Sequence, residues 1–148
     1  MTPDEKAAEL GIDLRAFTPS ATLAPAVRVG NTIYTSGQVS TGYQGKLGRD
    51  LTTEQGQAAA RVCAVQLLQA VYSLTGTLNS LRCVRLLGAV NAAPDFVEPH
   101  LVINGASQLI WDVLGREGNG FHARSALGFA TLPKGCAVEV EGIFAVLE

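Results

Sequence analysis

The stretch FHARSALGFATLPKGCAVEVEGIFAV, residues 121–146, settles the architecture. Two β-prone runs, 123–130 and 136–147, flank Leu132-Pro133-Lys134-Gly135, and a Pro and a Gly so placed punctuate strands rather than extend them. The second run alternates cleanly. Val138, Val140 and Phe144 fall on one face, and Glu139, Glu141 and Ile143 on the other. The first set suits a helix-packed core. The second puts carboxylates on a face that needs a partner or a ligand once anything covers it. Arg124 opens the preceding run, and a hairpin between the two runs would set it against those glutamates. Three outcomes are open: a structural ion pair, plain solvation, or a guanidinium fork held ready for a carboxylate ligand.

Working outward, TPDEKAAELG carries its own helix punctuation, with Thr2 as cap, Pro3 in the first turn, Glu5 completing a capping box and Gly11 as stop. AVRV and TIYT flank Gly30-Asn31, a hairpin signal. STGYQGKLGRDL, about residues 40–51, is glycine-rich, and we expect a loop, the most mobile element of the chain and a candidate lid. The clearest helix follows, from a Thr52–Gln55 capping box to Gly76. Gln66, Gln69 and Ser73 form its polar face, and Val62, Val65, Leu68 and Tyr72 are expected to face a sheet. RCVRLLGAVNA reads as a strand ending near Asn91. A second long helix begins near Pro99 and ends near Gly115, and Gly105 inside it costs about 1 kcal/mol relative to Ala. Trp111 fits packing within that helix. The order β-β-α-β-α-β-β, after a short helical extension over about residues 1–20, predicts one two-layer α+β domain over 1–148. Both long helices cover one face of a mixed sheet.

Composition narrows the function classes. Charged residues are 16%, against about 25% in ordinary soluble domains, and apolar residues are 47%. So much apolar surface predicts a second buried face, supplied by copies of the same chain. Net charge is −2 with no basic run, which weighs against nucleic acid. No apolar run is long enough to span a bilayer, and the acidic start is unlike a signal peptide, so a cytoplasmic location is expected. Cys63, Cys83 and Cys136 have no metal or redox spacing, and each reads as a small buried side chain. There is no Ser-His-Asp set and no metal-ligand spacing, and GYQGKLG lacks the spacing of a phosphate-binding loop. His122, beside Arg124, is a loop histidine that either hydrogen-bonds locally or serves as acid or base.

ARS, a short apolar strand, LPKG, and then VEVE together resemble the C-terminal signature of the Rid family, also called YjgF-type or L-PSP endoribonuclease-like proteins. GNTIYTSGQVS, residues 30–40, is similar to the family's other marker. The resemblance spans about residues 25–146. It implies a chorismate-mutase-like fold, a homotrimer with clefts between subunits, and cofactor-free hydrolysis of reactive 2-imino and 2-enamino acids to 2-oxo acids and ammonia. It further implies that Arg124 binds the substrate carboxylate, that Glu139 places the attacking water, and that Ser36 and Gly37 line the cleft. Asn104 matches a family asparagine across a short insertion. The chain departs from the family's pattern at two places. Leu23 lies near the place of a tyrosine carried by many active members, and Ala126 replaces a cysteine two residues after the arginine. Those losses keep a second function open, a non-catalytic binder of small carboxylate metabolites that regulates a partner. The family's endoribonuclease name suggests a third, which the acidic charge disfavours.

Overall fold

A computed structural model describes residues 1–148. The chain runs α1 (Pro3–Glu9), β1 (Ala26–Val29), β2 (Thr32–Thr35), β3 (Gln38–Val39), α2 (Thr53–Thr75), β4 (Leu81–Asn91), α3 (Pro99–Leu114), β5 (Ala123–Phe129) and β6 (Val138–Val146). A π-helical turn at Gly115–Asn119 and a 3-10 turn at Pro133–Gly135 precede the last two strands. The sheet order is β1-β2-β6-β4-β5, with β3 paired to the far end of β6. All neighbours are antiparallel except β4 and β5, which are parallel because the α3 crossover joins them. This is the expected α+β architecture, with β3 as an addition.

The punctuation read from the sequence is in place. Thr2 and Glu5 form a reciprocal capping box, as do Thr52 and Gln55. Gly76 closes α2 in the left-handed conformation at φ 68°, and Val29 pairs with Thr32 across the Gly30-Asn31 hairpin. Helix α1 docks by burying Ala7 and by capping a distant turn, since the Asp4 carboxylate accepts from Leu78 N and Thr77 Oγ1.

The core lies between the helices and one face of the sheet. Val138, Val140 and Phe144 of β6 point into it with Leu86 and Val90 of β4. A register shift between Cys83 and Arg85 leaves Val84 unpaired and returns both Cys83 and Leu86 to the core side. Helix α2 turns differently from the expected face. Its fully buried stripe is Ala59, Ala60, Cys63, Ala64, Leu67, Leu68, Ala70 and Val71, while Val62, Val65 and Tyr72 sit only half-buried. Small residues win that stripe because α3 packs closely against it. An added Cβ on Gly105 of α3 would lie 2.1 Å from the Gln57 backbone oxygen of α2. The helix tolerates its glycine because no other residue fits the contact. The polar face of α2 is not simply solvated. Gln66 Nε2 donates to Val39 O and Gln69 Nε2 to Asp13 O, so the first holds β3 and the second the segment after α1.

The 40–51 loop is anchored in its second half. Leu47 is fully buried, and Lys46 Nζ donates to Asn91 Oδ1 and Ala130 O. The three cysteines are buried and free. Burial pushes all three thiols up, Cys83 to about 12, so none is a nucleophilic thiolate near neutrality. No helix is long and apolar enough to cross a membrane.

Candidate functional site

The expected hairpin between the last two strands does not form. β4 lies between β5 and β6, and the 130–137 connection crosses its end, where Asn91 N donates to Ala137 O and Asn91 Nδ2 to Cys136 O. A connection of that length has no need to close a tight turn. Arg124 is in register with Leu86, on the helix side of the sheet. Glu139 and Glu141 are in register with Ala89 and Leu87, on the open side. The Arg124–glutamate ion pair is therefore ruled out within one chain, and the ion pairs present are Lys6–Glu9 and Arg49–Asp50. Five candidate residues thus fall into two groups.

The first group gathers on α3. Arg124 Nη1 donates to Asn104 Oδ1 at 2.8 Å and to Ser107 Oγ at 3.2 Å, and Nη2 donates to His100 O at 3.3 Å. A guanidinium has five N–H donors. These bonds use three, leaving Nε–H and one Nη2–H, the number a bidentate carboxylate takes. Burial lowers the Arg124 pKa, yet a guanidinium stays charged near neutrality. Asn104 and Ser107 stand one turn apart on α3, so a single helix face presents both to the sheet edge. Asn104 was foreseen and Ser107 was not. The signal for Ser107 was a hydroxyl at a position of the helix's apolar stripe, between Ala106 and Leu109, where it is now 1% exposed. His122 completes the group, with Nε2 2.9 Å from Ser107 Oγ and Nδ1 2.6 Å from Gly120 O. Its ring lies 6.2 Å from that of Trp111. Burial, chiefly, lowers the His122 pKa; the Gly120 carbonyl opposes this and Arg124 adds to it.

The second group lies on the open face. A Cβ on Gly37 would meet the Glu139 carboxylate at 2.3 Å, so the bare glycine lets that side chain lie flat against the β3 entry. The Glu139 pKa is raised, first by burial and then by Glu141. Ser36 Oγ donates to Ala24 O at 2.6 Å and Ser36 N to Pro25 O. Its hydroxyl proton is thus committed to the segment that carries exposed Leu23. Glu141 borders a separate hollow of about 220 Å³ with Tyr34, Arg85 and Ile143. Around both carboxylates the open face exposes Val27, Val29, Tyr34, Leu127 and Phe129.

Fold and motif define the class. Residues 14–146 match the Endoribonuclease L-PSP family, and the chain belongs to it, the family also known as YjgF/RidA. Protein TCP17 of Trypanosoma cruzi is 42% identical over 141 residues, 90% of this chain and 88% of that one. The crystal structure of Atu1372 from Agrobacterium tumefaciens, a protein of unknown function, superposes with a TM-score of 0.87 at 39% identity, covering 97% and 92% of the two chains. Escherichia coli TdcF, solved with bound serine, shares the fold at a TM-score of 0.59 and 21% identity, over 92% and 96%. The chain sits nearer the first two than the third.

Proposed function

We propose that this protein hydrolyses 2-imino or 2-enamino acids to 2-oxo acids and ammonia at a cleft shared between copies of the chain. The observation that carries the reading is the Arg124 guanidinium, fixed by Asn104, Ser107 and His100 O with two donors to spare. An anchored arginine with a free edge is a carboxylate clamp. The serine held by TdcF is a small amino acid whose carboxylate such a clamp would suit. Glu139 supplies the other requirement. An imine carbon is already electrophilic, so water needs placement more than a strong base. A carboxylate with a raised pKa can hold that water and take its proton. Water adds to the C=N carbon, the carbinolamine collapses, and its C–N electron pair leaves with ammonia.

The two groups lie on opposite faces of one sheet, so one chain does not assemble this site alone. A second copy seated on the apolar open face would bring its own Arg124 edge towards Glu139 and Gly37. A closed trimer meets that requirement, since a ring repeats one heterologous contact until it closes. Non-catalytic carboxylate binding is the second reading. It is favoured by Leu23 and Ala126, which provide neither the phenol nor the thiol of many active relatives, and it needs Arg124 alone.

The deciding assay generates 2-aminoacrylate and bulkier 2-imino acids freshly, with semicarbazide as a competing trap. Wild type should accelerate release of the 2-oxo acid. Arg124→Ala should raise KM about ten- to a hundred-fold, the cost of losing a charge-assisted contact, with the assembly intact. No acceleration with any imino acid rejects hydrolysis for those substrates. Carboxylate binding that survives in wild type and fails in Arg124→Ala would then establish the second reading.

A further inference from the structure

We propose that Ser107 and His122 act as positioning residues for Arg124, and that protonation of the His122 imidazole loosens the grip of the guanidinium on a carboxylate. This deepens the reading of Arg124 given above and rests on it.

With the imidazole neutral, donor and acceptor roles along this hydrogen-bonded chain have one consistent assignment. Arginine can only donate, so Ser107 Oγ accepts from Nη1. A carbonyl can only accept, so His122 Nδ1 carries a proton and gives it to Gly120 O. In the neutral ring Nε2 then holds a lone pair, and the one Ser107 proton goes to it. The buried hydroxyl is satisfied in both roles, as buried polar groups generally are.

The Gly120 carbonyl is itself fixed. Its backbone N–H donates to Gly115 O at 2.8 Å, and a Cβ there would lie 2.6 Å from Gly115 O and 2.8 Å from Ile110 O. Arg82 grips the same turn, donating to Gly118 O and Phe121 O. The Trp111 ring lies 6.2 Å from the imidazole, and both imidazole nitrogens have partners.

Protonation breaks this assignment. Nε2 becomes a donor, and Ser107 Oγ would have to accept from two cations while turning its own proton elsewhere. The surroundings oppose the new charge. Arg124 faces the ring from β5, Arg116 stacks 4.5 Å over Trp111, and Arg82 sits across the turn from β4. The nearest acids in sequence are Asp112, which accepts from Gln108, and Glu117, which is exposed. Nothing neutralises the imidazolium at Ser107, so the added charge acts on the Arg124 contact.

The test is calorimetric binding of 2-oxobutanoate, an unreactive carboxylate, from about pH 8 to about pH 5, spanning the range where histidines titrate. Wild-type affinity should fall about five- to ten-fold on the acid side, the worth of one hydrogen bond. His122→Gln keeps an acceptor for Ser107 without titrating, so whatever its affinity at high pH it should lose that acid-side fall. Ser107→Ala should bind weakly throughout. Glu139 titrates equally in all three proteins and cancels in the comparison. Equal slopes in wild type and His122→Gln overturn the relay. NMR of the imidazole and guanidinium nitrogens, without ligand, separates the two readings. If no carboxylate binds at any pH, the clamp fails. The relay then stands if the Arg124 signals move with the His122 titration, and falls if they do not.

Discussion

Glu139 is the residue on which chemistry and stability pull in opposite directions. Its folded pKa is raised by burial and by Glu141. Between the unfolded value, about 4.3, and the folded one, the native state binds more protons, so stability falls as pH rises through that window. Glu139→Gln removes the penalty. We expect a modestly higher Tm at neutral pH, no gain well below pH 4 or so, and hydrolysis cut to a residual rate that lacks the acid limb of the wild-type pH profile. Thermal melts at several pH values and a pH–rate series check both. Gly37→Ala tests the same group from its neighbour. The new methyl meets the far end of a flexible side chain, so the carboxylate must move and the fold need not. Activity should drop about ten-fold or more with Tm little changed, since small displacements of a catalytic group are costly. Denaturation and kinetics run side by side will show whether the two separate.

At the scale of elements, the packing of α2 on α3 positions Asn104 and Ser107, and Gly105 stands beside them. An alanine there would drive its Cβ into the Gln57 backbone, which cannot rotate away as a side chain can. Gly105→Ala should therefore destabilise by about 1–3 kcal/mol, although alanine is the better helix former by about 1 kcal/mol. Denaturant unfolding gives the sign directly, and stabilisation would mean that the helices separate at little cost. Helix propensity and tertiary approach oppose each other at this position, and contact wins. The strands carry a related lesson. Alternation along β6 was legible residue by residue, while its neighbour was not. A strand pattern states which side chains share a face, and it is silent on which strand will lie beside it.

Across the molecule, the helices cover one face of the sheet and leave Val27, Val29, Tyr34, Leu127 and Phe129 exposed on the other. We propose that this patch, on a protein of low charge content, serves self-association. We expect light scattering to report an oligomer. Leu127→Asp should dissociate it, because an unpaired carboxylate at the centre of an apolar contact costs several-fold more than a methyl truncation. If the site is shared between copies, the dissociated protein should lose hydrolysis while keeping its secondary structure. Full activity in a monomer would remove the shared cleft from the proposal.

The sequence by itself determined the layers, the caps and turns, the inward and outward faces of β6, the burial of the cysteines, and the residues of the family signature. Each is local or periodic, written within a few residues by capping groups, glycines at turns and the two-residue repeat of a strand. Only the tertiary structure decided that β4 intervenes between β5 and β6, and that Arg124 and Glu139 stand on opposite sides of the sheet. It alone showed that Ser107, His122 and Gly120 are joined to the arginine by a chain of hydrogen bonds. Strand order depends on how a crossover and a long connection route the chain. A hydroxyl in an apolar helix acquires its partners only when a distant edge strand arrives beside it.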